Sequence, residues 1–229
     1  MSAFILKIIA CISMILAHIP FVFPKYRIPL VYIGKLAFPI YAFLIAEEYA
    51  QKKDSSKSFT RLLIFAIICQ LPACLLFIGH FTLQYFNVFF TLALGLLGIQ
   101  IYDKIKNKYL SIPLICILAI LAEILNFDYG VIGVLMIVIF YVFRETKIKM
   151  ALLEMLLMFI LYLEKSSHFI YTIANIKYIL FQLLFSIISL YLAILYNGKD
   201  GKNIRLVKIG FYAIYPVHLI VLWLLKSFI

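Results

Sequence analysis

"IGFYAIYPVHLIVLWLLKSFI", residues 209–229, is an apolar run of the length a helix needs to span a bilayer, about 20 residues. Near its middle it carries Pro216 and His218. A proline inside a helix withholds an N–H and pushes aside the carbonyl four residues back, here that of Tyr212. A histidine in hydrocarbon costs several kcal/mol unless it is paired or wet, which makes it a candidate for function. On a helix Phe211, Tyr215 and His218 fall at i, i+4 and i+7 and share a face. Pro216 predicts a kink there, and tyrosine hydroxyls or water can satisfy the freed carbonyl. A kinked helix with Tyr215 and His218 turned inward describes the wall of a polar cavity. A packed core histidine fits the same spacing.

The rest of the chain decides the solvent. Of 229 residues 66% are hydrophobic and 14% charged, and the mean hydropathy is +1.10. A water-soluble domain of this size cannot hide so much apolar surface. Nine runs read as spans: 4–23, 29–50, 60–79, 83–102, 109–126, 130–143, 148–163, 175–196 and 208–229. The sixth and seventh are short, so eight or ten spans remain open. The polar interruptions are too brief for an extramembrane domain. The expected architecture is all-α, a polytopic membrane helix bundle forming one integral membrane domain over 1–229. The first run lacks a basic leader and a small-residue cleavage site, and reads as a retained span. Cys11, Cys69, Cys74 and Cys116 lie within apolar runs without metal-type spacing, and read as small packing residues. No metal is expected.

The net charge of +11 would suggest nucleic acid in a soluble protein. Here the basic residues sit in short loops, so topology accounts for them and no nucleic-acid partner is expected. One side's loops carry fourteen: Lys52, Lys53, Lys57, Arg61, Lys104, Lys106, Lys108, Arg144, Lys147, Lys149, Lys199, Lys202, Arg205 and Lys208. The other side's carry four: Lys25, Arg27, Lys165 and Lys177. That bias places the first side in the cytoplasm of a cell with an inner or plasma membrane. The N-terminus is then cytoplasmic and, with nine spans, the C-terminus outside. "NGKDG" (197–201) is a turn with residues suited to positive φ. Asn87, Thr91 and Gly95 at i, i+4, i+8, with Gly98 beside them, read as a helix–helix contact.

The ionisable residues inside the spans are the candidate site. His18 lies near the outer end of the first span, on one face with Lys7, Cys11 and Met14. Lys35 lies about two turns below the outer end of the second span. Glu123 lies within a turn of the outer end of the fifth, so Lys35 and Glu123 are placed to pair at similar depth, for packing or for function. Asp128 follows in the outer loop "NFDYGVIG". Glu47 and Glu48 close the second span at the cytoplasmic edge; Glu48 snorkels, while Glu47 points about 100° away toward the bundle. Glu154, in the seventh span, reads either way. His18, Lys35, Glu123 and His218 can converge in the outer half of the membrane. That supports an embedded active site or a transport pathway alike.

Several stretches together are similar to the TraX family, whose namesake N-acetylates the conjugative pilin subunit. They are "LKIIACISMILAHI" (6–19), "IGKLAFPIYAFLIAEEY" (33–49), "RLLIFAIICQLP" (61–72), "AEILNFDYGVIGVL" (122–135), "LYNGKDG" (195–201) and "FYAIYPVHLIVL" (211–222), in family order. The resemblance implies an integral membrane acyltransferase using acetyl-CoA as donor. It makes His18 the general base, with Glu123 and Lys35 as its catalytic companions. His218, Tyr215, Glu47 and Asp128 would line the route for donor and acceptor. The acceptor would be an amine or hydroxyl on a protein N-terminus, a lipid or a glycan. The chain departs from the family pattern at Ala17, where an aspartate usually precedes the histidine. It also departs at Lys35 and Glu48, usually arginine and glycine. If a carboxylate orients His18, another helix must supply it, and Glu123 is the best-placed candidate. A permease for a small polar solute would use the same embedded residues for binding or proton coupling. No internal repeat of the transporter kind is visible. A non-catalytic protein of the same fold is the third reading, which Ala17 keeps open.

Overall fold

The computed structural model describes residues 1–52, 56–166, 173–201 and 205–228. Among these there is no strand. The helices in chain order are α1 (Ala3–His18), α2 (Arg27–Gly34), α3 (Ala37–Lys52), α4 (Ser56–Phe77), α5 (Val88–Lys104), α6 (Lys108–Ile124), α7 (Gly130–Val142), α8 (Lys147–Ser166), α9 (Ile173–Ile194) and α10 (Arg205–Phe228). Helices occupy all nine predicted runs among the described residues, with the second divided into α2 and α3 around Lys35 and Leu36. The fourth begins later than expected, at Val88, because residues 83–87 form an irregular segment that bridges to Phe127. Lys53, Asp54, Ser55 and Lys202 lie outside the described residues. So do the side chains of Lys165, Arg205 and Lys208, and Ile229 at the end of the last span.

Five helical segments are long and apolar enough to cross a membrane: Ala3–Phe21, Pro24–Lys52, Ser56–Phe77, Ile176–Ile194 and Gly210–Phe228. Helix α7 is a shorter apolar helix. The exposed faces agree with a lipid solvent. On α4, Ile64, Ile67, Ile68 and Leu71 point outward at i, i+3, i+4, i+7, while Ala66, Cys69, Gln70 and Ala73 are buried. The most apolar stripe therefore faces out, the reverse of a helix in water. The protein is a multi-pass membrane protein.

The chain forms two compact units, Met1–Tyr41 with Ala151–Ile229, and Ala42–Met150. In the second, α5 packs against α4, α6 and α7, and α6 against α7. Of the predicted small-residue stripe, Gly95 and Gly98 make the α5–α7 contact, while Asn87 bonds α4 instead. A Cβ on Gly95 would fall 2.3 Å from Ile137, and one on Gly98 2.9 Å from Val138. In the first unit, α1 packs on α2 and α10, and α2 on α9. Gly34 lets α2 approach α1 closely, since a Cβ there would meet the Ala17 methyl at 2.4 Å. The "LYNGKDG" segment has a function its turn residues do not announce. The carbonyls of Lys199 and Asp200 accept the N–H groups of Ala3 and Phe4 at 2.9 and 3.1 Å. These are first-turn donors of α1 that lack partners within the helix. Gly198 and Gly201 take φ of +74° and +77° to make the turn.

Candidate functional site

The site candidates divide between the two units. In the first, His18 ends α1 and is followed at once by a 3-10 turn, Ile19–Phe21, that starts with Pro20 at its second residue. Tyr215 and His218 are carried by α10, both buried at 3% and 8% exposure, so the inward face predicted for them is the one observed. The structure brings the three together. His18 Nδ1 lies 2.8 Å from His218 Nε2. The Tyr215 ring stands edge-on to both imidazoles, its centroid 6.3 Å from His18 and 5.4 Å from His218.

The ring geometry identifies the contact. The two imidazoles are within 9° of parallel, with centroids 5.1 Å apart. Rings stacked face to face would be separated by a van der Waals thickness of about 3.5 Å. A 2.8 Å N···N contact between near-parallel rings therefore makes them coplanar, joined edge to edge by one hydrogen bond. The second nitrogen of His218, Nδ1, is 2.8 Å from the Ile214 carbonyl one turn back on α10.

Lys35 occupies the turn between α2 and α3, one residue beyond Gly34, and so shares the level of Ala17 and His18 on α1. Its Nζ lies 5.0 Å from the centroid of the Tyr162 ring on α8, a cation–π contact. The Tyr162 hydroxyl is 2.6 Å from Ser186 Oγ on α9. Cys11, on the His18 face of α1, is more than a packing residue: its Sγ lies 3.0 Å from the Tyr41 hydroxyl. Cys69 and Cys74 are buried, but Cys116 is exposed. Glu154 on α8 is fully buried, and neither carboxyl oxygen has a hydrogen-bond partner among the described residues.

In the second unit Glu123 and Asp128 belong to one tightly wound loop. Asn126, Tyr129 and Gly130 all take positive φ, at 53°, 66° and 44°. A Glu123 carboxylate oxygen accepts the Val131 N–H at 2.9 Å, which caps the start of α7. Space under that carboxylate is so short that a Cβ on Gly130 would lie 1.9 Å from it. The Asp128 carbonyl accepts from the Thr91 hydroxyl on α5, and its N–H donates to the Phe86 carbonyl at 2.9 Å. Lys35 and Glu123 thus each engage residues of their own unit. Glu47 is half-buried on α3, while Glu48 bonds Lys52 and Ser58, each at 3.2 Å. Among the described residues no group of three or more His, Cys, Asp or Glu is arranged to hold a metal ion.

Sequence reasoning placed His18 and His218 each at a polar face but did not pair them. Two hundred residues separate them, and only the packing of α1 on α10 makes them partners. Tyr41, Tyr162 and Ser186 gave no signal at all, because tyrosine and serine are ordinary residues in a span.

A multi-pass helical bundle with a histidine pair set between two spans defines the class of protein. The comparisons narrow it. The chain belongs to the TraX protein family, which it matches over residues 2–226. It is similar to a probable fimbrial assembly protein, FimC of serogroup H1, from Dichelobacter nodosus, at 30% identity over 244 residues. That alignment covers 100% of this chain and 97% of the relative. No solved structure matches the chain.

Proposed function

We propose that this protein is a membrane acyltransferase that moves an acetyl group from acetyl-CoA to an amine or hydroxyl at the outer half of the inner membrane. The observation that carries the reading is the 2.8 Å hydrogen bond between His18 and His218, held between α1 and α10 in an apolar setting. A histidine is the side chain best suited to accept and return a proton near neutral pH. A pair of them at membrane depth is costly to keep without a use. The family membership supplies the direction, because the TraX resemblance implies acetyl transfer. The relative named as a fimbrial assembly protein favours a protein subunit as acceptor over a lipid or a glycan.

The chemistry balances with the residues present. The acceptor nitrogen or oxygen attacks the thioester carbonyl carbon, forming the new C–N or C–O bond. His18 takes the proton released from that atom. The C–S bond then breaks, and the imidazolium returns the proton to the departing thiolate, giving the free thiol of coenzyme A. Lys35 or the Tyr215 hydroxyl would hold the oxyanion of the intermediate. The basic loops, which their charge bias would put in the cytoplasm, would meet the phosphates of the donor.

Calorimetry of acetyl-CoA on the detergent-purified protein, with transfer assayed beside it, tests the reading. Wild type and His18→Ala should both bind the donor, and only wild type should transfer. Folded protein that takes up no acetyl-CoA at millimolar concentration would overturn it and favour transport of a small solute.

A further inference from the structure

We propose that His218 is the positioning residue for His18, and that it fixes Nε2 of His18 as the atom that takes the proton. The inference rests on the acyltransferase reading for its catalytic meaning, but its structural part stands by itself. It follows from tracing one hydrogen along three groups. A carbonyl oxygen only accepts, so the 2.8 Å contact between His218 Nδ1 and the Ile214 carbonyl puts a hydrogen on Nδ1. In the neutral ring the lone pair of His218 is then on Nε2. The hydrogen in the 2.8 Å contact with His18 therefore sits on His18 Nδ1. With Nδ1 protonated, the basic lone pair of His18 is on Nε2.

The chain of donors runs one way, from His18 through His218 to a backbone carbonyl, and ends there. A carbonyl cannot carry a proton onward, so His218 is no exit for it. What His218 does is hold the ring, select the tautomer and accept a stronger hydrogen bond once His18 becomes the imidazolium. A carboxylate does this for histidine in many active sites by bonding the second ring nitrogen. This chain has Ala17 beside His18, its methyl against Gly34. Coplanar rings give the imidazole acceptor the in-plane lone-pair geometry that the same duty requires.

Two variants and one spectrum test it. Glutamine at 218 can present its amide oxygen near the place of Nε2, whereas alanine presents nothing. His218→Ala should lower kcat for acetyl transfer about 10- to 100-fold, the scale of loss when the group orienting a metal-bound histidine is removed, with KM for acetyl-CoA unchanged. His218→Gln should recover most of that. In parallel, nitrogen-15 spectra of histidine-labelled protein should show His18 protonated at Nδ1 in wild type and in His218→Gln, and mostly at Nε2 in His218→Ala. His18 protonated at Nε2 in the wild type, or glutamine as damaging as alanine in folded protein, would overturn the proposal. A correct Nδ1 signature in a protein that transfers acetyl to no amine or hydroxyl would sink the acyltransferase reading alone.

Discussion

Asn87 in one unit and His218 in the other are both buried polar side chains on apolar helices, and they are satisfied in different ways. The Asn87 amide donates to the Ala66 carbonyl at 2.7 Å and to Gln70 Oε1 at 2.9 Å, and its own oxygen caps Phe89 N–H at 3.1 Å. Gln70 in turn bonds the Tyr85 carbonyl. Glu123 caps α7 and Thr91 holds the Asp128 carbonyl. Every one of these contacts closes on a main-chain group or supports one that does. In hydrocarbon no water can do that accounting, so side chains complete it wherever a helix starts or a loop turns back. In the other unit the central bond joins two side chains, His18 and His218, and His218 in turn reaches the backbone at the Ile214 carbonyl. A side chain that completes the backbone is structural by its partners. A side chain bonded to another of tunable protonation has chemistry to offer.

Replacing His18 puts the largest strain on that contrast. His18→Ala should reduce acetyl transfer by about 10²- to 10⁴-fold, the usual share of a general base. Stability should fall by about 1–3 kcal/mol, because buried His218 Nε2 loses its partner. Transfer near the wild-type rate would dissolve the contrast, making the histidine pair one more packing device.

Asn87 should behave in the opposite way. Asn87→Ala leaves the Ala66 carbonyl, Gln70 and the α5 cap without their partner, and should cost about 2–3 kcal/mol of stability. The kcat of the protein that remains folded should hold. Chemical denaturation paired with transfer measured on the folded fraction reads both numbers. A stable Asn87→Ala protein with lost kcat would move the functional site into the Ala42–Met150 unit.

Gly130 and Glu123 sharpen the same point at smaller scale. Gly130→Ala forces a side chain into φ +44° against the Glu123 carboxylate and should cost about 1–2 kcal/mol. Glu123→Gln keeps an oxygen for the Val131 N–H, so the cap survives and transfer should stay within about twofold of wild type. A tenfold fall in kcat for Glu123→Gln would show that the carboxylate charge is needed, and would return Glu123 to the catalytic list that the sequence suggested.

How much of this the sequence disclosed follows from the range of the interactions. The nine helical runs were legible because each is a local excess of apolar residues, five of them long enough among the described residues to cross a membrane. The break at Lys35 was not, since α2 and α3 are both apolar and Gly34 is explained only by the close approach of Ala17. His18, Tyr215 and His218 were legible as polar intrusions at helical spacing, each within its own helix. Their pairing was not, because periodicity gives a face and never a partner. Glu123 shows the converse limit. Its depth matched that of Lys35, but the left-handed loop that turns its carboxylate onto Val131 depends on three positive φ values. Gly130 and, more weakly, Asn126 signal that conformation in sequence, whereas Tyr129 does not.

Glu154 gives the smallest and most pointed test, because it belongs to neither pattern. It is fully buried on α8, with no hydrogen-bond partner for its carboxyl oxygens among the described residues. If it has no part in function it is a cost, since a buried polar group without a partner forfeits about 1–3 kcal/mol of hydration. Glu154→Met removes that group at similar length and should leave stability unchanged or raise it by about 1 kcal/mol, with transfer unaffected. Glu154→Gln keeps the shape and the same demand for partners, so it should be no more stable than wild type. Methionine above glutamine in thermal midpoint, with equal kcat in both, is the order expected of a residue without a function. Both variants folded but slowed tenfold or more would place Glu154 among the groups that meet a substrate, which would extend the functional polar chain of its unit beyond the two histidines.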